Sequence, residues 1–218
     1  MSPDSHIQEN ALLEKENFNV RLSTPNDEKH LDTLYNLINM VNQSSASWAS
    51  EGHIIKVKRI DRESLRNIIT KGSSGLFLAF PTPSPCVYPS LGSDEIQRPI
   101  ACLKTTIEGS KGHISLLAVD PEYQSKGVAS SMIHASDKYL ISHDVFFSIF
   151  MIHHRRNGIK AQYRRLGCQP TGRIEQVSDP DDPIKNVYYI EEWERPLKAT
   201  SFHFSQGTTR SYAVKSHL

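Results

Sequence analysis

The segment Leu117-Ala118-Val119-Asp120-Pro121-Glu122-Tyr123-Gln124-Ser125-Lys126-Gly127-Val128-Ala129 constrains this chain more than any other. An apolar strand end meets Asp-Pro, a tight turn of small residues around Gly127, and then a helix. That helix sets Val128, Met132, Ala135 and Tyr139 on one side. Its first N–H groups have no partner within the helix and stand at the positive end of its dipole, which makes a site for phosphate or pyrophosphate. Gly127 and Ala129 allow close approach to the backbone, and Lys126 either adds a charge there or is solvated. The segment is not a P-loop, because GxxxxGK[ST] is absent, and it lacks the dinucleotide turn GxGxxG.

The elements around it are read from periodicity and punctuation. A strand is expected over Phe18–Leu22, then a helix capped by Thr24 with Pro25 in its first turn and Leu31, Leu34, Ile38 and Val41 on its apolar face. That helix has a polar tail, Asn42–Ser47, ending at Trp48. A second helix starts at Asp61, carries Leu65, Ile68 and Ile69, and stops at Lys71-Gly72. Strand Leu76–Phe80 leads into Pro81–Pro99, a proline-rich surface loop. Strands Ile100–Ile107 and His113–Val119 form an antiparallel hairpin through Glu108–Gly112. After the Gly127 helix, the apolar run Val145–Ile152 reads as a strand buried on both faces. A helix from Gly158 to Leu166 closes at Gly167, and strands Arg173–Val177 and Asn186–Glu194 follow. The result is a mixed α/β domain over 18–197, with a flexible lead-in at 1–17 and a tail at 198–218.

Composition removes several alternatives. Of 218 residues, 22% are charged and the formal net charge is +1, which does not suit a dedicated nucleic-acid binder. Cys86, Cys102 and Cys168 have no CxxC spacing and form neither a disulfide framework nor a zinc knuckle, and Cys102 lies in an apolar run as a small core residue. The polar start of the chain carries no apolar stretch of signal-peptide or membrane-helix length. A soluble protein is expected, in the cytoplasm with the nucleus left open, without membrane, nucleic acid or metal and with a homodimer allowed.

In context, the first segment resembles the acetyl-CoA motif of the GNAT superfamily of N-acetyltransferases, V-x-P-x-x-(Q/R)-x-x-G-x-(G/A), met by Val119, Pro121, Gln124, Gly127 and Ala129. A second family signature is met by Asn157, Ala161, Tyr163, Leu166 and Gly167, with Cys168 where the family often has Phe. The resemblance spans Phe18–Leu197. It implies a mostly antiparallel twisted sheet with helices on both faces, and a central strand pair that splays to admit acetyl-CoA. By the same resemblance, Val119 and the turn Gln124, Ser125, Lys126, Gly127, Val128 and Ala129 hold the pantetheine and pyrophosphate, and the amide near Leu117 faces the acetyl carbonyl. Asn157 resembles a cofactor contact and equally suits a helix N-cap.

The activity implied is acetyl transfer from acetyl-CoA to a primary amine on a small molecule, peptide or protein lysine; the alternative is an acyl-CoA-binding sensor of the same fold. An amine of pKa ~10 must lose a proton before it attacks, and the leaving thiolate, with a parent pKa of ~8.5, benefits from a hydroxyl donor. Tyr163 occupies the family's tyrosine position. The stretch His113-Ile114-Ser115-Leu116-Leu117 carries no glutamate where many members have one. His113, placed by alternation on one face with Ser115 and Leu117, is therefore the candidate base, with Glu108, His153 and His154 behind it. For the acceptor, Asp179–Asp182 and the pair Glu191-Glu192 are candidates to attract a cationic amine.

Overall fold

The computed structural model describes residues 18–43, 58–71, 75–82, 97–178 and 187–197. The lead-in, the tail, the end of the first helix's polar stretch, most of the proline-rich loop and Asp179–Asp182 lie outside these residues. Among the described residues, seven strands and four helices occur in the expected order: β1 (Phe18–Leu22), α1 (Leu31–Gln43), α2 (Arg62–Lys71), β2 (Leu76–Pro81), β3 (Ala101–Glu108), β4 (Lys111–Val119), α3 (Val128–Ser142), β5 (Phe147–His153), α4 (Asn157–Arg165), β6 (Gln169–Ser178) and β7 (Val187–Pro196). They build one sheet of order β1-β2-β3-β4-β5-β7-β6, antiparallel except for the β4–β5 pair. No helix among the described residues is long and apolar enough to cross a membrane.

Two cores cover the two faces of the sheet. On one, α1 and α2 bury Leu34, Ile38, Leu65 and Ile69 against Leu76, Leu78, Cys102 and Ala118. On the other, α3 and α4 bury Val128, Met132, Leu140 and Ile159 against Phe77, Leu103, Ile114, Phe150 and Trp193. Period-two alternation along β2 and β3 sends successive side chains to opposite cores. Gly112 lets α3 lie close on β4: a Cβ at that position would run into the Leu140 side chain. The hairpin turn is tighter than the sequence suggests. Gly109, at φ +59°, joins β3 to β4 so that pairing begins at Glu108 with Lys111.

The first helix starts through a 3-10 turn, Pro25–His30. Thr24 and Asp27 cap it reciprocally, the Thr24 amide donating to Asp27 Oδ2 at 2.7 Å. Asp27 is 1% exposed and also accepts both arms of Arg21, at 2.8 and 2.7 Å. The Arg21 fork, and secondarily the Thr24 donors, hold the Asp27 carboxyl well below the usual carboxylate range. Asp27→Ala should therefore cost about 2 kcal/mol, because it removes a cap and strips a partly exposed arginine of its partner. Urea unfolding at neutral pH measures this. The gap between mutant and wild type should close as pH falls below the unfolded carboxyl value of ~3.9, since a depressed pKa stabilises only while the carboxylate is charged.

Candidate active site

Strands β4 and β5 run side by side only from Lys111↔Phe147 to Ile114↔Phe150. Beyond that point Ser115–Val119 and Met151–His153 separate, although β4 stays paired to β3 and β5 to β7. The two inner edges are thus left with main-chain donors and acceptors that a ligand or water must satisfy. A cavity of about 880 Å³ runs between them, within the range of roughly 300–1,000 Å³ usual for ligand sites. It is lined from the α3/α4 side by Ile114, Leu117, Val119, Phe150 and Ile152, and from the α1/α2 side by His113, Ser115, Leu116, Met151 and His153. The slot therefore passes through the sheet.

A bulge shapes its wall. The β3–β4 register slips by one residue between Cys102↔Ala118 and Lys104↔Ser115, and Leu116 takes φ +50°. An extra residue of this kind drops out of the ladder and re-aims its neighbours. The Leu116 carbonyl accepts the buried Cys102 thiol at 3.4 Å. Burial pushes that thiol up to about 12, so it remains a donor. The bulge also overturns one expectation. Leu116 packs into the α1/α2 core and Leu117 into the α3/α4 core, so His113 and Ser115 do not share a face with Leu117.

At the exit of β4, Asp120 caps a 3-10 turn, Pro121–Tyr123, accepting from the Glu122 amide at 3.1 Å. The Gln124 side chain donates back to the Val119 carbonyl at 3.0 Å, tying the turn to the strand end. Ser125 and Gly127 both take positive φ, +63° and +87°. The first bond of α3 is Ser131 N–H to Gly127 C=O, so the amides of Val128, Ala129 and Ser130 precede the helix's own ladder. No acidic residue lies in this first turn, and a Cβ on Gly127 would meet nothing within 4 Å. This donor set fits an anion. Tyr123, Gln124, Ser125, Gly127, Val128, Ala129 and Ser130 line the cavity. Lys126 does not; its ammonium sits over the Tyr123 ring, 5.2 Å from the centroid.

Helix α4 supplies the opposite wall with Ile159, Gln162, Tyr163 and Arg165. Tyr163 packs on Phe150 with ring centroids 4.6 Å apart, and burial pushes its hydroxyl up to about 12. Asn157 is the first residue of α4, exposed and outside the cavity lining, and Arg156 takes the cap position with no side-chain cap bond. His113 pairs with Ile149, one residue before the strands part, and its Nε2 lies 3.5 Å from Glu108 Oε2. His153 also lines the cavity, but its Nδ1 accepts the Arg155 amide at 3.1 Å. In the neutral ring that places the proton on Nε2, so the Nδ1 lone pair is engaged and His153 is not the base. His154 does not line the cavity, and its Nδ1 lies 3.2 Å from the Tyr189 carbonyl.

Glu191 and Glu192 do not act as a pair. Glu191 meets Lys160 Nζ at 2.6 Å and Trp193 Nε1 at 3.2 Å on the α4 side, whereas Glu192 meets Arg173 at 3.4 Å and Lys111 at 3.9 Å on the other. Neither lines the cavity. What the sequence reading missed is cationic: Lys58, Arg59, Arg156 and Arg165 all line it.

A sequence model of the acetyltransferase (GNAT) family matches residues 55–167. No curated protein matches the chain in sequence. Among solved structures, an N-acetyltransferase from Staphylococcus aureus superposes with a TM-score of 0.58 at 16% identity, covering 83% of this chain and 98% of that one. A GNAT-family acetyltransferase from Streptococcus pneumoniae gives 0.55 at 10% identity over 84% of this chain and all of the other. PaiA N-acetyltransferase from Thermoplasma acidophilum, solved with coenzyme A, gives 0.54 at 15% identity over 83% and 99%. At these identities the structures establish the fold, and the match over more than half of the chain, together with the split sheet and the Gly127 turn, places it: this protein belongs to the GNAT family and is an acyltransferase.

Proposed function

We propose that the protein transfers the acetyl group of acetyl-CoA to a primary amine by direct attack of the amine on the thioester. The observation that carries this reading is the slot through the sheet, which has a bare helix start at one end and a histidine beside the parting strands at its acceptor side. The amides of Val128, Ala129 and Ser130 hold the diphosphate, and the inner edges of β4 and β5 hold the amide-bearing arm as a strand would be held. The bulge at Leu116–Leu117 supplies main-chain donors for the carbonyl oxygen as it gains negative charge. His113 takes the amine proton, directly or through water, with Glu108 steadying the ring. Tyr163 donates to the departing sulfur.

The reading is tested by following thiol release from acetyl-CoA over a panel of amines. Release that depends on the amine supports it; tight coenzyme A binding with no release on any amine would leave a sensor of the same fold. His113→Ala should lower kcat/KM by at least about tenfold at pH 7. The deficit should shrink as pH approaches the amine's own pKa, where the acceptor no longer needs a base. A pH-independent deficit would assign His113 to structure alone.

A further inference from the structure

Among the described residues, the cavity carries four cationic side chains and no Asp or Glu. The cations divide between the two faces of the sheet. Arg165 comes from α4, on the face that carries α3 and its anion-binding start. Lys58 and Arg59 come from the chain entering α2, on the opposite face. Their position is fixed by a buried device. Asn39 of α1, 8% exposed, accepts the Arg59 amide through Oδ1 at 2.8 Å and donates through Nδ2 to the Ile60 carbonyl at 3.1 Å.

The charge of Arg59 bears on two buried groups. Its charge acts to lower the pKa of both the Tyr163 hydroxyl and the Cys102 thiol, against the burial that raises them, and Arg156 acts on Tyr163 in the same sense. Arg59 lines the same cavity as the bulge residues Leu116 and Leu117, from the chain that enters α2 on the face of the sheet opposite the phosphate site. Ile149, Met151, Tyr188 and Ile190, which share that face of the cavity with His113 and His153, are uncharged.

Resting on the acetyltransferase reading above, we infer that the acceptor is a primary amine carrying a carboxylate close to its amino group, with Arg59 and Lys58 receiving that carboxylate and Arg156 adding to the field. Arginine suits the role because its planar fork takes a carboxylate through two parallel bonds. The same field favours the neutral, nucleophilic form of the amine, since a nearby positive charge disfavours its protonated form. A polyamine meets repulsion in this funnel and gains nothing from it.

The experiment uses the full chain and acceptors matched in length: γ-aminobutyrate against γ-aminobutyramide, and short peptides beginning with glutamate against the same peptides beginning with glutamine, with spermidine as the cationic comparison. The wild-type kcat/KM should be at least about tenfold higher for the carboxylate member of a pair than for its amide, and lowest for spermidine. The free amino acid and peptide arms tell which source of carboxylate is preferred. Arg59→Gln should lower the carboxylate-to-amide ratio about tenfold, and Arg59→Lys, which keeps the charge but loses the fork, should recover only part of it. A ratio near one in the wild-type protein, or spermidine as the best acceptor, overturns the inference and leaves the acetyltransferase reading intact. A wild-type preference that survives both Arg59→Gln and Lys58→Gln also overturns it. Failure of every amine while coenzyme A binds overturns both.

Discussion

Gly127→Val should weaken coenzyme A binding by at least about a hundredfold, roughly 2.7 kcal/mol at 25 °C, as read by calorimetric titration. Two effects add. Gly127 sits at φ +87°, a conformation that a β-branched residue adopts at a cost of about 1–2 kcal/mol, and relaxing that strain would re-aim the N–H groups that follow. The space in front of it contains no protein atom within 4 Å of a Cβ, so the valine methyls would stand where the ligand's phosphate oxygens approach the amides of Val128, Ala129 and Ser130. Gly127→Ala separates the two, keeping most of the backbone strain while adding one carbon, and should lose less. The fold should survive either change, because Gly127 caps α3 without touching its core. Unchanged affinity in Gly127→Val would remove the diphosphate from this turn.

The features that the sequence announced are those in which local chemistry and tertiary structure agree. Asp120-Pro121, Gln124 and Gly127 specify their turn within one stretch of chain, so the anion site could be read before any partner strand was known. The order of elements was legible for the same reason: each switch of period from two to 3.6 coincides with a cap or a glycine. The bulge was not legible. His113-Ile114-Ser115-Leu116-Leu117 reads as an unbroken strand, and only the register against β3 and the Cys102 thiol beneath Leu116 make one residue redundant. Arg59 was hidden because what places it is a buried asparagine 20 positions earlier, outside any motif. The expected partnership of Glu191 and Glu192 could have been discounted from the sequence, since neighbouring residues of a strand point to opposite faces, where each meets its own cation.

The second large effect belongs to Tyr163. Tyr163→Phe should lower kcat about a hundredfold and leave coenzyme A affinity within about twofold, because general acid assistance of this kind is worth roughly 10²–10⁴ and the ring's packing on Phe150 is kept. With its hydroxyl pushed up to about 12 by burial, Tyr163 remains a donor throughout any practical assay range. A phenol so weakly acidic would not protonate a thiolate of parent pKa ~8.5 in water; in the slot, the same desolvation raises the thiolate's own pKa and brings the two closer. The pH profile tests that state: no fall in kcat below about pH 10 should disappear on Tyr163→Phe. Stability gives a second reading. Because the folded value lies above the unfolded ~10, the tyrosine's contribution is complete below that pH and is lost as pH rises toward 12, so wild type should lose melting temperature faster than Tyr163→Phe across that interval. Equal losses of kcat and coenzyme A affinity would mean that the hydroxyl holds the slot's shape and that the sulfur receives its proton from elsewhere.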